Sequence, residues 1–146
     1  IGGASPLATP RRAVVGWDSN RLAMILAVLE ARAGMRFSDR EVYLNVAGGL
    51  RISEPAADLA VAAALVSALT DQPVDGQTVI FGELGLSGEI RPAARADLRL
   101  KEAAKLGFKS ALVPEGTEHQ SLTLQPVSQI AEMMAMFSPP LPYAAA

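Results

Sequence analysis

One run of residues constrains the whole chain. From Leu59 to Leu69 the sequence is Leu, Ala and Val broken only by Ser67. A helix with no polar face must be covered by protein on most of its sides. The run is about half of the ~20 residues needed to cross a bilayer, so the cover is protein and not lipid. Pro55 suits the first turn of such a helix, where its missing N–H is not needed. The density of alanine lets neighbouring backbones approach closely. The chain therefore builds one domain around a central helix running from Pro55 to Leu69. At 146 residues, half of them hydrophobic, it has enough core for one domain and hardly enough for two.

The flanking sequence supplies the wrapping. Arg12 to Gly16 is a short strand candidate. Asp18 or Ser19 can cap a helix to about Arg32, with Leu22, Ile25, Leu26 and Leu29 on one face and Gly34 closing it. Val42, Leu44 and Val46 alternate with Tyr43 and Asn45, which is strand periodicity. Beyond the central helix, Thr78 to Gly82 is a strand, and Gly85-Leu86-Ser87-Gly88 makes a tight turn into a strand through Ile90. A helix spans Ala94 to Leu106, and a strand at Ser110 to Val113 is stopped by Pro114. Ser128 can cap a last helix to about Phe137. Strands and helices mix without strict alternation, so the expected class is α+β. Residues 1–10 are a flexible lead-in, 11–138 the domain and 139–146 a loose tail. Both ends suggest a domain cut from something larger.

The net charge of −2 hides an asymmetry. Residues 91–109 hold six Lys or Arg against Asp97 and Glu102, and residues 11–40 hold six Arg against Asp18, Glu30 and Asp39. A basic face can bind nucleic acid whatever the overall charge. With no cysteine, disulfides, thiolate metal sites and a cysteine nucleophile are excluded, and a reducing cytoplasm is the expected location. No signal peptide is expected at the start. There is no Gly-x-x-x-x-Gly-Lys-Ser/Thr and no lysine before Lys101, so this chain is not itself the ATPase of any larger protein.

Four ordered blocks carry a family resemblance: Val42 to Gly49, Glu54 to Ala60, Phe81 to Arg91 and Arg99 to Lys109. Pro10-Arg11-Arg12 and Asn20 to Glu30 extend it, so it covers roughly residues 8 to 137. The chain resembles the proteolytic domain of Lon, and more closely the Lon-like C-terminal domain of the RadA (Sms) family of bacterial DNA-repair ATPases. An active Lon domain uses a serine in a Pro-Ser-Ala-Gly context at the start of the central helix. Here Pro55 matches the proline, Ala56 takes the serine's place and Asp58 the glycine's. Counting without a gap from Gly82-Glu83, the place of the activating lysine falls on Asp97. Alanine has no oxygen to attack a carbonyl, and aspartate is no substitute for the lysine. Glu54 and Asp58 add negative charge where an oxyanion would need stabilising. The resemblance thus implies a Lon-like fold without peptidase activity.

Two displaced nucleophiles carry less weight than their plainer readings. Ser53 with Lys101 could form a relocated dyad, but Ser53 more simply caps the helix or sits in its turn. His119, the only histidine, lies in a polar loop and reads as solvent-exposed. Trp17 and Tyr43 read as core or interface residues, and Phe108 as facing the core. On the helix after Ala94, Lys101 and Lys105 share the side away from Leu100, Ala103 and Ala104, and Asp97 with Lys101 is an i,i+4 pair. The candidate DNA-contacting residues are Arg91, Arg95, Lys101, Lys105, Arg11 and Arg12. Without stacking aromatics their contacts would be to phosphate.

The resemblance implies a homo-oligomeric ring, usually of six subunits, scaffolding a RecA-like motor that drives branch migration on single-stranded or branched DNA. ATP and magnesium belong to that motor and none to this domain; a recombinase partner is implied and a membrane is not. Two other readings remain: the Lon-like domain of the magnesium-chelatase-related ComM helicases, which share a Gly-Glu-Leu-x-Leu-Ser-Gly-Glu run, and a residual peptidase.

Overall fold

A computed structural model describes residues 1–6 and 9–137. The expected tail at 139–146, the boundary at 138 and two residues of the lead-in lie outside the described residues. The elements run β1 (Arg12–Val15), α1 (Ser19–Ala33), β2 (Val42–Asn45), α2 (Asp58–Thr70), β3 (Thr78–Ile80), β4 (Glu83–Leu84), β5 (Ile90–Arg91), α3 (Ala96–Lys105), β6 (Ser110–Pro114), β7 (Thr123–Val127) and α4 (Ile130–Met133). Short 3-10 turns cover Ala47–Gly49, Pro55–Ala57 and Met134–Phe137.

The central sheet has the order β3-β6-β7, with both pairings parallel. Parallel strands covered on both faces read as continuous apolar runs, and β6 does so: Ala111, Leu112 and Val113 are all buried. The pleat divides them. Leu112 joins a large core with Leu22, Ile25, Leu29, Leu59 and Val66 from α1 and α2. Ala111 and Val113 point the other way, to a smaller core with Phe81, Leu100, Ala103 and Leu122 under α3. The domain is thus a sheet between two unequal helical layers. A second parallel pair, β1-β2, lies against the larger core, and β4-β5 is an antiparallel hairpin. The mixed α and β character in one domain agrees with expectation, with more parallel pairing than an α+β label suggests.

Local chemistry explains the boundaries. Asp18 caps α1 by accepting from the Asn20 N–H at 3.1 Å, and Gly34 closes it in the left-handed region at φ 68°. Helix α2 follows the Pro55–Ala57 turn, with Leu59, Ala62, Ala63, Leu65 and Val66 buried, while Ala64 and Ala68 reach solvent.

Several expectations are corrected. Helix α3 begins at Ala96, because Arg95 before it sits at φ 58°. The last helix is a single turn capped at Gln129 and not at Ser128, whose hydroxyl instead donates to Glu132 at 2.6 Å. Strand β7 was not expected from the sequence. Of the two aromatics read as core or interface, Trp17 is core and Tyr43 is 54% exposed, so neither reading is overturned. Within residues 1–10 the Gly2 N–H donates to the Glu41 carbonyl at 2.8 Å and that of Ser5 to the Asp39 carbonyl at 2.9 Å. Among the described residues no helix is long and apolar enough to cross a membrane.

Candidate functional site

The site under test is the start of α2. Pro55 opens the turn, and the Glu54 side chain caps it by accepting from the Ala56 N–H at 3.4 Å. Two backbone bonds fix this turn to Gly82: its N–H donates to the Ala56 carbonyl at 2.8 Å, and its carbonyl accepts from the Leu59 N–H at 3.0 Å. Gly82 allows the approach, since a β-carbon there would meet Ile90 at 3.0 Å and Leu59 at 3.3 Å. Ala56 is consequently held rigidly and is 3% exposed, with a methyl group where chemistry would need a nucleophile.

Asp58 has a different role from the one its sequence position suggests. It is fully buried. Arg21 of α1 grips it with both ends of the guanidinium: Nε donates to Oδ1 at 2.5 Å, and the second nitrogen donates to Oδ2. The Leu84 N–H donates to the same Oδ2 at 3.0 Å, and Glu83 lies 3.8 Å from Arg21. The hydrogen bond to Asp58 is the main cause that raises the Arg21 guanidinium above its ordinary value, against a partial loss of hydration. Asp58 therefore joins α1, α2 and β4, and its charge is neutralised. The expectation that it would disfavour an oxyanion is corrected: only Glu54 remains for that role, bound to the amide of Ala56.

A cleft of about 270 Å³ opens beside Ala56, lined by Ile52, Glu54, Ala57, Phe81 and Arg99 among others. Asp97 is not among its walls. It lines a separate cleft with Pro92, Glu115, Thr117 and Glu118. The residue of α3 that shares the cleft with Ala56 is Arg99, with its guanidinium 6.0 Å from the Phe81 ring centre, Nε donating to the Ala94 carbonyl at 2.8 Å and a terminal nitrogen 3.8 Å from Glu54. Two residues on a helix are about 200° apart, so Asp97 and Arg99 flank opposite sides of α3. An arginine stays protonated and cannot act as the base. Ser53 is exposed and makes no hydrogen bond among the described residues, and Lys101 does not line the cleft. His119 is half-buried and accepts at Nδ1 from the Ser121 N–H at 3.2 Å.

The six candidate DNA-contacting residues separate into two surfaces. Lys101 and Lys105 are exposed on α3, and among the described residues neither has an ion-pair partner; the expected Asp97–Lys101 pair does not form. Arg95 is exposed just before the helix, and Arg91 is 3.2 Å from Glu89. Arg11 and Arg12 belong to the β1 side, over the other core. Arg12 is occupied with backbone, donating to the Phe37 carbonyl at 2.7 Å and to that of Arg40.

A family model described as subunit ChlI of Mg-chelatase matches residues 10–117. A DNA repair protein RadA of Brucella abortus is 55% identical over 90% of this chain and 29% of its own length. RadA proteins of Rickettsia bellii and a Synechocystis species are 53% and 50% identical over 88% and 90% of the chain, and 28% and 27% of their own lengths. The chain thus spans less than a third of these curated relatives. It belongs to the family described as subunit ChlI of Mg-chelatase, and its resemblance to DNA repair protein RadA, legible in its sequence, is shown by relatives at 50–55% identity.

Proposed function

We propose that this chain is the non-catalytic, Lon-like domain of a RadA-type DNA-repair ATPase of the cytoplasm, a scaffold for a hexameric ring that also contacts DNA without regard to base sequence. The observation that carries the reading is the start of α2: a buried methyl at Ala56, Glu54 on its amide, and a permanently charged Arg99 opposite. This arrangement retains a helix-start cleft and has none of the groups for acyl transfer. The exposed ammonium groups of Lys101 and Lys105, without an ion-pair partner among the described residues, support the DNA role, and Arg91, Arg95, Arg11 and Arg12 are its further candidates. In this reading the ring migrates branches in recombination, a recombinase is its partner, and single-stranded or branched DNA is its substrate. ATP and magnesium would be held elsewhere in the whole protein; this chain has no glycine-rich phosphate loop, and no step is assigned to them here.

The test is binding of two fluorescent DNAs of unrelated sequence, together with an assay on an unstructured protein substrate. Equal affinities and no cleavage are expected. A strong sequence preference, or cleavage abolished by Ser53→Ala, overturns the reading. The family description favours one alternative, a ComM-type helicase. A phosphate loop encoded upstream supports the RadA reading, and one downstream supports ComM.

A further inference from the structure

The two edges of the central sheet differ in what they offer a further strand. On β7 the Thr123 N–H and the Val127 carbonyl bond towards β6, which leaves Pro126 on the outer side with no N–H to donate. Strand β3, Thr78-Val79-Ile80, carries neither proline nor charge. Towards β6, the Ser110 N–H donates to the Gln77 carbonyl at 3.3 Å and the Phe81 N–H to the Leu112 carbonyl at 3.2 Å. Alternate residues of a parallel strand bond to the same neighbour, so Thr78 and Ile80 turn their backbone to the open side. Gly82, next in that alternation, bonds there to Ala56 and Leu59, and the turn at Ala56 ends the edge. The Thr78 N–H is taken by the Asp75 carbonyl at 3.1 Å. The Thr78 carbonyl and both backbone groups of Ile80 have no hydrogen bond among the described residues.

A cleft lies on each side of this open edge. Beside α3, Val79, Leu98, Leu106 and Phe108 line a groove of about 510 Å³, with Leu98 and Leu106 55% and 69% exposed. Beside the start of α2 lies the cleft of about 270 Å³, with Ile52, Ala60 and Ile80 in its walls. Val79 packs on the smaller core and Ile80 on the larger, so the clefts open on opposite faces of the sheet, and both include Val79 and Arg99. A strand added at an edge turns its side chains alternately to the two faces, and here it would fill both clefts at once. Its backbone would supply the partners that Thr78 and Ile80 lack, while the clefts select its side chains. Charge narrows the choice. The α3 groove holds Arg95 and Arg99 against Glu102 alone, and Arg95 has no ion-pair partner among the described residues. We infer that the open edge of β3 binds an extended segment of another protein, with large apolar residues and an acid towards α3 and small apolar residues towards Ala56. Lys101 and Lys105 line neither cleft, so this site is separate from the one proposed for phosphate.

The probe is a fluorescein-labelled peptide, Val-Leu-Val-Asp-Val-Leu, which in extended form carries Leu, Asp and Leu on one face and valines on the other. Its anisotropy should saturate on titration with the full chain. A single N-methyl group moved along the peptide should weaken binding by at least about tenfold at alternate positions and little between them, because only alternate amides face β3. Leu98→Asp with Leu106→Asp, both exposed and outside the two cores, should abolish binding. Arg95→Asn, suited to the left-handed backbone at that position, should weaken it by about threefold, the size of one solvated ion pair. Absence of saturable binding, a loss that ignores which amide is methylated, or binding indifferent to the α3 variants overturns the site. If the peptide instead separates associated copies of the chain, the occupant is a second copy; if a DNA oligonucleotide displaces it, the groove belongs to the DNA surface. Either result overturns the partner inferred.

Discussion

At the scale of single residues, the buried Asp58–Arg21 pair does what the sequence alone assigned to a degenerate glycine position. Breaking a buried pair from either side is costly, and the larger cost comes from leaving the less hydrated charge behind. The Asp58 side chain is fully buried, whereas that of Arg21 is 25% exposed. Arg21→Ala should therefore destabilise the domain by about 3–5 kcal/mol, and Asp58→Ala by less, since water can reach the freed guanidinium. Urea unfolding that ranks the two the other way would refute this. Glu132 is a second residue-scale test. It accepts from the Ser128 hydroxyl and from the amides of Ser128 and Gln129, which holds its carboxyl below the ordinary value. A lowered folded pKa contributes stability above the ordinary glutamate range and loses it as pH falls through the lowered value. Acidification should thus narrow the stability gap between the unaltered chain and Glu132→Gln; a gap that widens contradicts the assignment.

At the scale of elements, α3 separates its functions by angle. Leu100 and Ala103 hold it to the sheet, Arg99 closes the cleft by Ala56, and Lys101 and Lys105 extend into solvent. If the lysines bind phosphate, each neutralised phosphate adds about 0.9 to the slope of log affinity against log salt. Lys101→Glu with Lys105→Glu should flatten that slope by about 2, with melting temperature little changed; an unaltered slope makes these lysines ordinary solvating charges. The same angular logic governs any attempt to restore peptidase chemistry. Ala56→Ser with Asp97→Lys should remain inert because residue 97 lies on the wrong flank. Arg99→Lys with Ala56→Ser is the pairing that shares a cleft, and even there Glu54 occupies the amide an oxyanion would need. The sequence made α1 legible because the caps at Asp18 and Gly34 agree with its apolar period, and α2 and β6 because each is an unbroken apolar run. Strand β7 was hidden: Thr123–Val127 is mostly exposed and contains Pro126, which only a sheet edge tolerates. Arg99 was missed because counting residues without a gap ignores which side of a helix each position occupies, and Asp58 because its partner lies 37 positions earlier in the chain.

At the scale of the molecule, affinity for DNA should depend on assembly more than on any one domain. A single copy offers a few free cations, and screening at physiological salt leaves such a surface weak. Linking several copies turns later contacts into intramolecular ones, which raises affinity without adding any new contact per subunit. A DNA long enough to span several subunits should therefore be bound at least about tenfold more tightly than one short enough to touch a single subunit. Fluorescence anisotropy on the two lengths reads the difference. Lys101→Glu with Lys105→Glu should weaken binding to both lengths and lose most of the advantage of the longer one, because each subunit then contributes fewer phosphate contacts. Equal affinity of the unaltered chain for short and long DNA would mean that one domain makes the whole contact and that assembly adds nothing to it.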